Sequence, residues 1–335
     1  MQFDQLRRRE LITIIAGAAA ASSPFWPLVA RAQQPAMPVI GFLDPTVPDA
    51  AAADRLRAFR QGLRESGYVE GENVAIEFRW AENKPDRLSS LAAGLVRRQV
   101  AVIVAIGGST PAFAAKAETG SIPIVFTAAQ DPVKLGLVAS LARPGANLTG
   151  VFFPAESSAR RLELLRELVP AVRRIAVLLD PANAANAAAT LQDVQTAAAR
   201  MNVQVKALNA SAAREVDAAF AGFATDRPDA LFVGPFATDR RVQLAMLGVA
   251  HKLPATYPWR DFVDAGGLMS YGASLKEAFR QVGMSVGRIL KGAKPAELPV
   301  VQLSKYELVI NASTAGILGL AVPPALRALA DEVVE

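Results

Sequence analysis

The chain has 335 residues, a formal net charge of +5 at pH 7, a single histidine and no cysteine. This composition excludes disulfides, thiol catalysis and metal sites built from thiolates or histidine clusters, so we expect neither a metal nor a cofactor. The basic residues are dispersed apart from pairs such as Arg97-Arg98, which indicates solvated helix faces and no nucleic-acid partner.

Residues 1–32 have the pattern of a cleavable export signal. Arginines at 7–9 precede an uncharged run at 11–21, and Ala30-Arg31-Ala32 has the form of a cleavage site. The run is shorter than the roughly 20 residues that a helix needs to cross a bilayer. The arginines are typical of twin-arginine export, but Glu10 departs from that motif and general secretion stays an alternative. We expect an unanchored periplasmic protein.

From residue 37 onward, short apolar runs alternate with amphipathic segments of helical period. The first series has predicted strands at 37–43, 74–80, 100–106 and 122–126, and predicted helices at 54–67, 86–96 and 111–118. Continuous apolar runs such as 100–106 are typical of strands in parallel sheets, which are covered on both faces. The series predicts a doubly wound α/β domain.

A second series of the same kind follows a break near residues 144–145. Its predicted strands are 148–153, 174–179, 203–208, 230–234 and 254–257, and its predicted helices are 161–169, 187–201, 215–224 and 240–251. A further helix at 275–290 is stopped by Gly292 and Pro295. The series therefore indicates a second α/β domain of similar architecture.

The predicted fold is α/β, with two doubly wound parallel-sheet lobes. We assign residues 33–147 plus about 273–295 to the N-terminal lobe. Residues 148–272 plus about 300–335 form the C-terminal lobe. Two such sheets placed face to face form a cleft lined by the loops that follow their strands, and ligands of open α/β sheets bind there.

The loop at 107–110 offers a site for a carboxylate. Ser109 and Thr110 stand between a predicted strand and the helix that starts at Pro111, so their hydroxyls and the first N–H groups of the helix suit an anion. Simple capping of the helix by the same hydroxyls is the alternative.

Two further loops of the first series hold candidate ligand residues. Gln130 and Asp131 follow the fourth predicted strand, where Asp131 offers a counter-charge for an ammonium group. An aspartate before a proline is also ordinary turn chemistry, so a turn is the alternative. Thr46, in the loop after the first strand, has the same two interpretations.

In the second series the candidates are mainly aromatic. Asn186 precedes a helix, Phe236 follows a strand, and Tyr257 and Trp259 follow another strand. Aromatic side chains in such loops can stack on an apolar or aromatic ligand, although filling the space beneath the loop is the alternative. Tyr271 lies where we expect the chain to cross between the lobes.

Signatures of catalysis are absent from the sequence. It contains neither a G-x-S-x-G elbow nor a G-x-G-x-x-G loop, and residues 287–292 have the glycine spacing of a phosphate-binding loop without its Lys-Ser/Thr ending. Asp44, Asp131 and Asp180 follow strands and could pair across a cleft as in a glycosidase. We expect a binding protein and keep an exported hydrolase as an alternative.

Several short motifs occur in order along the mature chain. They are PVIGFL at 38–43, FRQGL at 59–63, GYVEG at 67–71, DPVK at 131–134, RPGANLTG at 143–150, ILKGAKP at 289–295 and YELVIN at 306–311. With these motifs the chain resembles the substrate-binding proteins of ABC transporters, in the family that includes tryptophan/tyrosine-type uptake proteins.

The resemblance implies a type I periplasmic-binding fold, with two lobes joined by three crossovers that close on a small ligand. The expected hinge segments are 146–152, 268–276 and 294–304, with Gly150, Gly272 and Pro295 helping the backbone to turn. The implied partner is an ABC permease in the inner membrane with its cytoplasmic ATPase, and we expect a monomer. A sensing module for a membrane receptor is the alternative.

By analogy with amino-acid-binding relatives, the two sides of the cleft have different roles. Ser109, Thr110 and Gln130 would hold an α-carboxylate, and Phe236, Tyr257 and Trp259 would cover the side chain. The resemblance leaves the ligand open among aromatic or branched amino acids and small aromatic acids.

Overall fold

The computed structural model describes residues 37–153, 157–181, 184–235 and 240–335. The predicted export signal, residues 1–32, and the candidate ligand residue Phe236 lie outside the described residues. Within the described ranges, no helix has both the length and the apolar character needed to cross a bilayer.

Strands and helices alternate along most of the chain. The strands are β1 (Val39–Asp44), β2 (Ala75–Trp80), β3 (Val102–Ala105), β4 (Ile124–Ala128), β5 (Leu148–Phe152), β6 (Arg174–Leu179), β7 (Gln204–Asn209), β8 (Ala230–Val233), β9 (Ala255–Tyr257), β10 (Met269–Ala273), β11 (Val301–Gln302), β12 (Tyr306–Asn311) and β13 (Glu332–Val334). The α-helices are α1 (Ala50–Glu65), α2 (Leu88–Arg97), α3 (Ser109–Glu118), α4 (Ser157–Leu168), α5 (Ala184–Arg200), α6 (Ala213–Ala221), α7 (Arg241–Ala250), α8 (Arg260–Asp264), α9 (Leu275–Leu290), α10 (Ala312–Ile317) and α11 (Pro324–Leu329).

The described strands form two sheets. The first has the order β11-β5-β4-β3-β1-β2, and all its neighbours are parallel. The second has the order β13-β12-β10-β9-β8-β6-β7. It is parallel, as predicted, except for the antiparallel β10–β12 pair. Mixed sheets of this kind are common when a doubly wound fold ends in an edge hairpin or a returning strand.

The central strands are buried because helices cover both faces of each sheet. Every residue of β3, β4 and β5 is buried, as their continuous apolar sequences require. On one face of the first sheet, α1 packs against α9 so closely that a Cβ added at Gly62 would lie 1.9 Å from the carbonyl oxygen of Arg280. The glycine of the FRQGL motif therefore permits contact between two helix backbones.

The chain crosses between the sheets three times. The crossings lie between β5 and α4, at Ser274 between β10 and α9, and at 303–305 between β11 and β12. Both β5 and β11 belong to the first sheet, so residues 148–152 and 301–302 do not join the second lobe as the sequence had suggested. The sequence marks a turn near residue 145 but carries no sign of which sheet accepts the next buried strand.

Two glycines expected at the hinge have a packing role instead. A Cβ on Gly150 would lie 2.2 Å from the carbonyl oxygen of Phe126, and one on Gly272 would lie 1.8 Å from that of Pro258. Both glycines therefore allow close approach of neighbouring backbone within a sheet, and the turns between lobes occur after them.

Candidate functional site

A cavity of about 270 Å³ lies between the two lobes, at the carboxyl ends of their strands. Its walls come from both sheets and from the helices α1 and α9. The lining residues are Asp44, Thr46, Arg55, Ile106, Gly107, Gly108, Ser109, Thr110, Thr127, Ala129, Gln130, Phe153, Asp180, Asn186, Pro235, Trp259, Leu275 and Phe279. This position is where open α/β sheets bind their ligands.

One wall of the cavity is the amino terminus of α3. Gly107 and Gly108 have positive φ angles of 82° and 111°, which turn the chain sharply from β3 into the helix. Gly108 is the N-cap residue and no side chain caps the helix, so the hydroxyls of Ser109 and Thr110 are not used as N-caps. The free N–H groups and the helix dipole make this wall attractive to an anion.

Two carboxylates line the cavity at other positions. Asp44, 2% exposed, accepts hydrogen bonds at 2.8 Å from the Thr46 N–H and at 2.7 Å from the Thr46 hydroxyl. Burial raises the pKa of Asp44, although these hydrogen bonds oppose the rise. Asp180 accepts a hydrogen bond from the hydroxyl of Ser211. The carboxylates provide counter-charges for a cationic group of a ligand.

Aromatic and aliphatic side chains supply the apolar part of the wall. Trp259 contributes from the second lobe, and its ring stacks on that of Phe262, with 6.5 Å between the ring centroids. Phe153, at the first crossing, and Phe279, on α9, contribute from the other side. A ligand with one charged end and one apolar ring matches this division of the cavity.

Ion pairs join the two lobes beside the cavity. Arg55 of α1 is 3.0 Å from Asp261 of α8, and Arg241 of α7 is 2.7 Å from Asp49, the N-cap of α1. Burial raises the pKa of Asp261, against the effect of Arg55. Burial also acts to raise the pKa of Asp49, but the hydrogen bonds from the Ala52 N–H and from Arg241 outweigh it and lower that pKa.

The structure brings most of the predicted site residues together at the cavity. They are Thr46, Ser109, Thr110, Gln130, Asn186 and Trp259. Thr46 is placed to hold Asp44, whose carboxylate it hydrogen-bonds twice.

Three predicted residues do not line the cavity. Asp131 accepts a hydrogen bond at 2.9 Å from the N–H of Val133, which is the turn chemistry named as its alternative. Tyr257 is 1% exposed and donates from its hydroxyl to the carbonyl oxygen of Leu244 at 3.2 Å, so it is a core residue. Tyr271 stacks on a tyrosine of β12, with 5.7 Å between ring centroids.

The predictions from sequence do not include the lining residues contributed by α1 and α9. The predicted candidates come from the loops after strands and the helix starts that follow them, whereas Arg55 lies within α1 and Phe279 within α9. A signal for Arg55 exists, because it precedes the buried Phe59 by four residues and therefore shares its helix face. A charged residue on an apolar stripe is a marker for a buried ion pair or a ligand.

Known proteins with the same architecture were identified by sequence and by structure. A tyrosine-binding protein of Clostridioides difficile strain R20291 is 30% identical over 264 residues, which cover 77% of this chain and 74% of that protein. The crystal structure of an ABC domain in complex with L-Trp from Streptococcus pneumonia is 25% identical, with a TM-score of 0.80. A conserved domain protein from Vibrio cholerae is 27% identical, also with a TM-score of 0.80. Each of these two structures covers 89% of this chain, and 99% of the solved chain is matched.

The predicted fold is confirmed as the type I periplasmic-binding fold with two α/β lobes. The model of the family described as ABC transporter substrate binding protein matches residues 46–334, which is most of the chain. This chain therefore belongs to the family of ABC transporter substrate-binding proteins.

Proposed function

We propose that the chain binds an aromatic amino acid between its lobes outside the cytoplasm and presents the closed form to an ABC permease for import. The observation that carries this proposal is the cavity between the lobes, which combines a helix amino terminus without a side-chain cap, the carboxylates of Asp44 and Asp180, and an aromatic wall. The tyrosine-binding relative and the relative solved with L-Trp support the choice of ligand class.

The charged ends of an amino acid match the polar groups of the cavity. The α-carboxylate accepts hydrogen bonds from the first N–H groups of α3 and from the hydroxyls of Ser109 and Thr110. The ammonium group faces the carboxylates of Asp44 and Asp180. Because these groups are held in place before binding, little ordering is needed when the ligand enters.

The aromatic ring of the ligand packs against Trp259, Phe153 and Phe279. Aromatic pairs prefer offset or edge-to-face arrangements and contribute about 0.5–1.5 kcal/mol beyond the burial of area. Trp259 belongs to the second lobe and Phe279 to the first, so a ring between them favours the closed arrangement of the lobes.

A partner recognises that a ligand is bound because the lobes have closed. A ligand that touches both lobes stabilises the closed form, and the ion pairs between α1 and the helices of the second lobe act in the same direction. The permease then recognises the closed protein. The predicted export signal at residues 1–32 would deliver the chain to the compartment where such a partner is exposed.

The test is a binding screen of the purified protein from Gln33 onward against tyrosine, tryptophan, phenylalanine, leucine, glutamate and glucose. Calorimetry should give saturable binding of aromatic amino acids with one site per chain. At 100 times its dissociation constant, a ligand stabilises the fold by roughly 2.7 kcal/mol, which a thermal melt detects. Preference for glucose or glutamate, or chemical turnover of a bound ligand, would refute the proposal.

A further inference from the structure

Arg161 is a buried cation with no acidic partner among the described residues. It lies in α4 at the start of the second lobe and is 2% exposed. One terminal nitrogen donates to the carbonyl oxygen of Val233 at 2.7 Å, and the guanidinium lies 3.7 Å above the ring of Phe232. Its Nε atom has no hydrogen-bond partner in the described part of the chain.

Within the described ranges, these neutral contacts leave the charge of Arg161 uncompensated. Burial lowers the pKa of Arg161 to about 9, so the guanidinium still carries its proton at neutral pH. An unpaired buried charge strongly destabilises a folded protein. Such groups are concentrated at functional sites, where a ligand supplies the missing partner.

Arg161 lines a second, smaller cavity that adjoins the first. The two cavities share Ala129, Phe153, Pro235 and Trp259 in their walls. The smaller one holds about 30 Å³, which is room for one or two groups of the size of water. None of its described lining residues is acidic. The two cavities are separated by a shared wall that includes the aromatic side chains of Phe153 and Trp259.

We propose that Arg161 is an anion-binding subsite for the ring end of the ligand. The ligand class is then an aromatic amino acid that carries a carboxylate on its ring, which passes between Phe153 and Trp259 and accepts hydrogen bonds from the guanidinium. Guanidinium and carboxylate match in geometry, and their charge-assisted hydrogen bonds are the strong class. This inference rests on the proposed function, because it needs the aromatic ring to occupy the main cavity.

The test compares two ligands that differ only at the ring end. Calorimetry measures the affinities of L-phenylalanine and L-4-carboxyphenylalanine for the wild-type protein, for Arg161→Met and for Arg161→Lys. We expect the ring carboxylate to raise wild-type affinity about tenfold or more. Arg161→Met should remove this gain and leave the affinity for phenylalanine within about twofold, and Arg161→Lys should retain part of the gain.

Arg160→Met is the matched control. Arg160 is adjacent in sequence and pairs with Glu163 and Glu167 on the exposed side of α4, so this variant should keep the full gain. If Arg161 merely holds the carbonyl group of Val233, Arg161→Met will weaken both ligands equally, and the inference is overturned.

If Arg161→Met fails to fold, the affinities of the wild-type protein for the two ligands still test the inference. Equal affinities of phenylalanine and carboxyphenylalanine would mean that the small cavity holds only water, which overturns the inference and leaves the proposed function standing. Failure of every aromatic amino acid to bind would overturn both.

Discussion

Removing the ion pair between Arg55 and Asp261 should weaken ligand binding without unfolding either lobe. The substitution Asp261→Asn keeps the shape of the side chain but removes its charge. The side chain of Arg55 is 10% exposed and that of Asp261 is 19% exposed, so the pair is largely withdrawn from solvent. Arg55 would then stay beside the cavity without this partner.

The partial burial of the ion pair sets the free energy that the closed form loses when the pair is removed. Exposed pairs contribute about 0–1 kcal/mol, whereas breaking a fully buried pair costs about 3–5 kcal/mol. We therefore expect the closed form to lose about 1–3 kcal/mol relative to the open form. Because about 1.4 kcal/mol is a factor of ten, affinity for the ligand should fall about fivefold to 150-fold.

Calorimetry gives the affinity, and small-angle X-ray scattering gives the fraction of closed protein. Glu332→Gln is the matched control, since Glu332 pairs with Arg260 within the second lobe and its loss should change affinity by less than twofold. Wild-type affinity for Asp261→Asn, together with an unchanged scattering curve, would show that the pair does not stabilise closure.

Three further changes test other parts of the reasoning. Asp44→Asn should weaken amino-acid binding at least about tenfold. Because the folded pKa of Asp44 is raised, its charged form destabilises the ligand-free fold above that pKa, so the variant should melt higher at pH 7 and lose this advantage below about pH 4. Ser109→Ala combined with Thr110→Val should lower affinity for amino acids about tenfold or more but not affinity for the corresponding amines that lack the carboxyl group, and equal losses would contradict the assignment. Gly62→Ala should lower the free energy of unfolding, measured by urea titration, by about 3 kcal/mol or more, because the added Cβ meets helix backbone. Gly222→Ala should have little effect, because the space around Gly222 is open.

The strands that were predicted from local runs of apolar residues agree with the structure. The apolar runs at 100–106 and 122–126 became β3 and β4, because a strand covered on both faces has no polar side to display. The loop at 107–110 also reached the cavity, since parallel strands bring their carboxyl ends to the same edge of a sheet. The sequence thus placed this loop at the edge of the sheet where the cavity lies.

Tertiary packing decided which aromatic residues face the cavity. Tyr257 and Trp259 are two residues apart in one loop, yet Tyr257 is sealed in the core and only Trp259 reaches the cavity. The sequence does not distinguish the two residues, because both suit an apolar pocket equally well. Which of them reaches the cavity depends on what packs beneath the loop.

The amino-acid sequence by itself determined the two α/β series, the post-strand loop that lines the cavity and the family to which the chain belongs. Only the tertiary structure decided that β5 and β11 join the first sheet, that Arg55 meets Asp261 across the cleft and that Arg161 is buried with no acidic partner among the residues described. Hydrophobic periodicity is a local property of the chain. By contrast, the first two of these features join residues that lie far apart in the sequence, and the third depends on which chain segments surround a side chain.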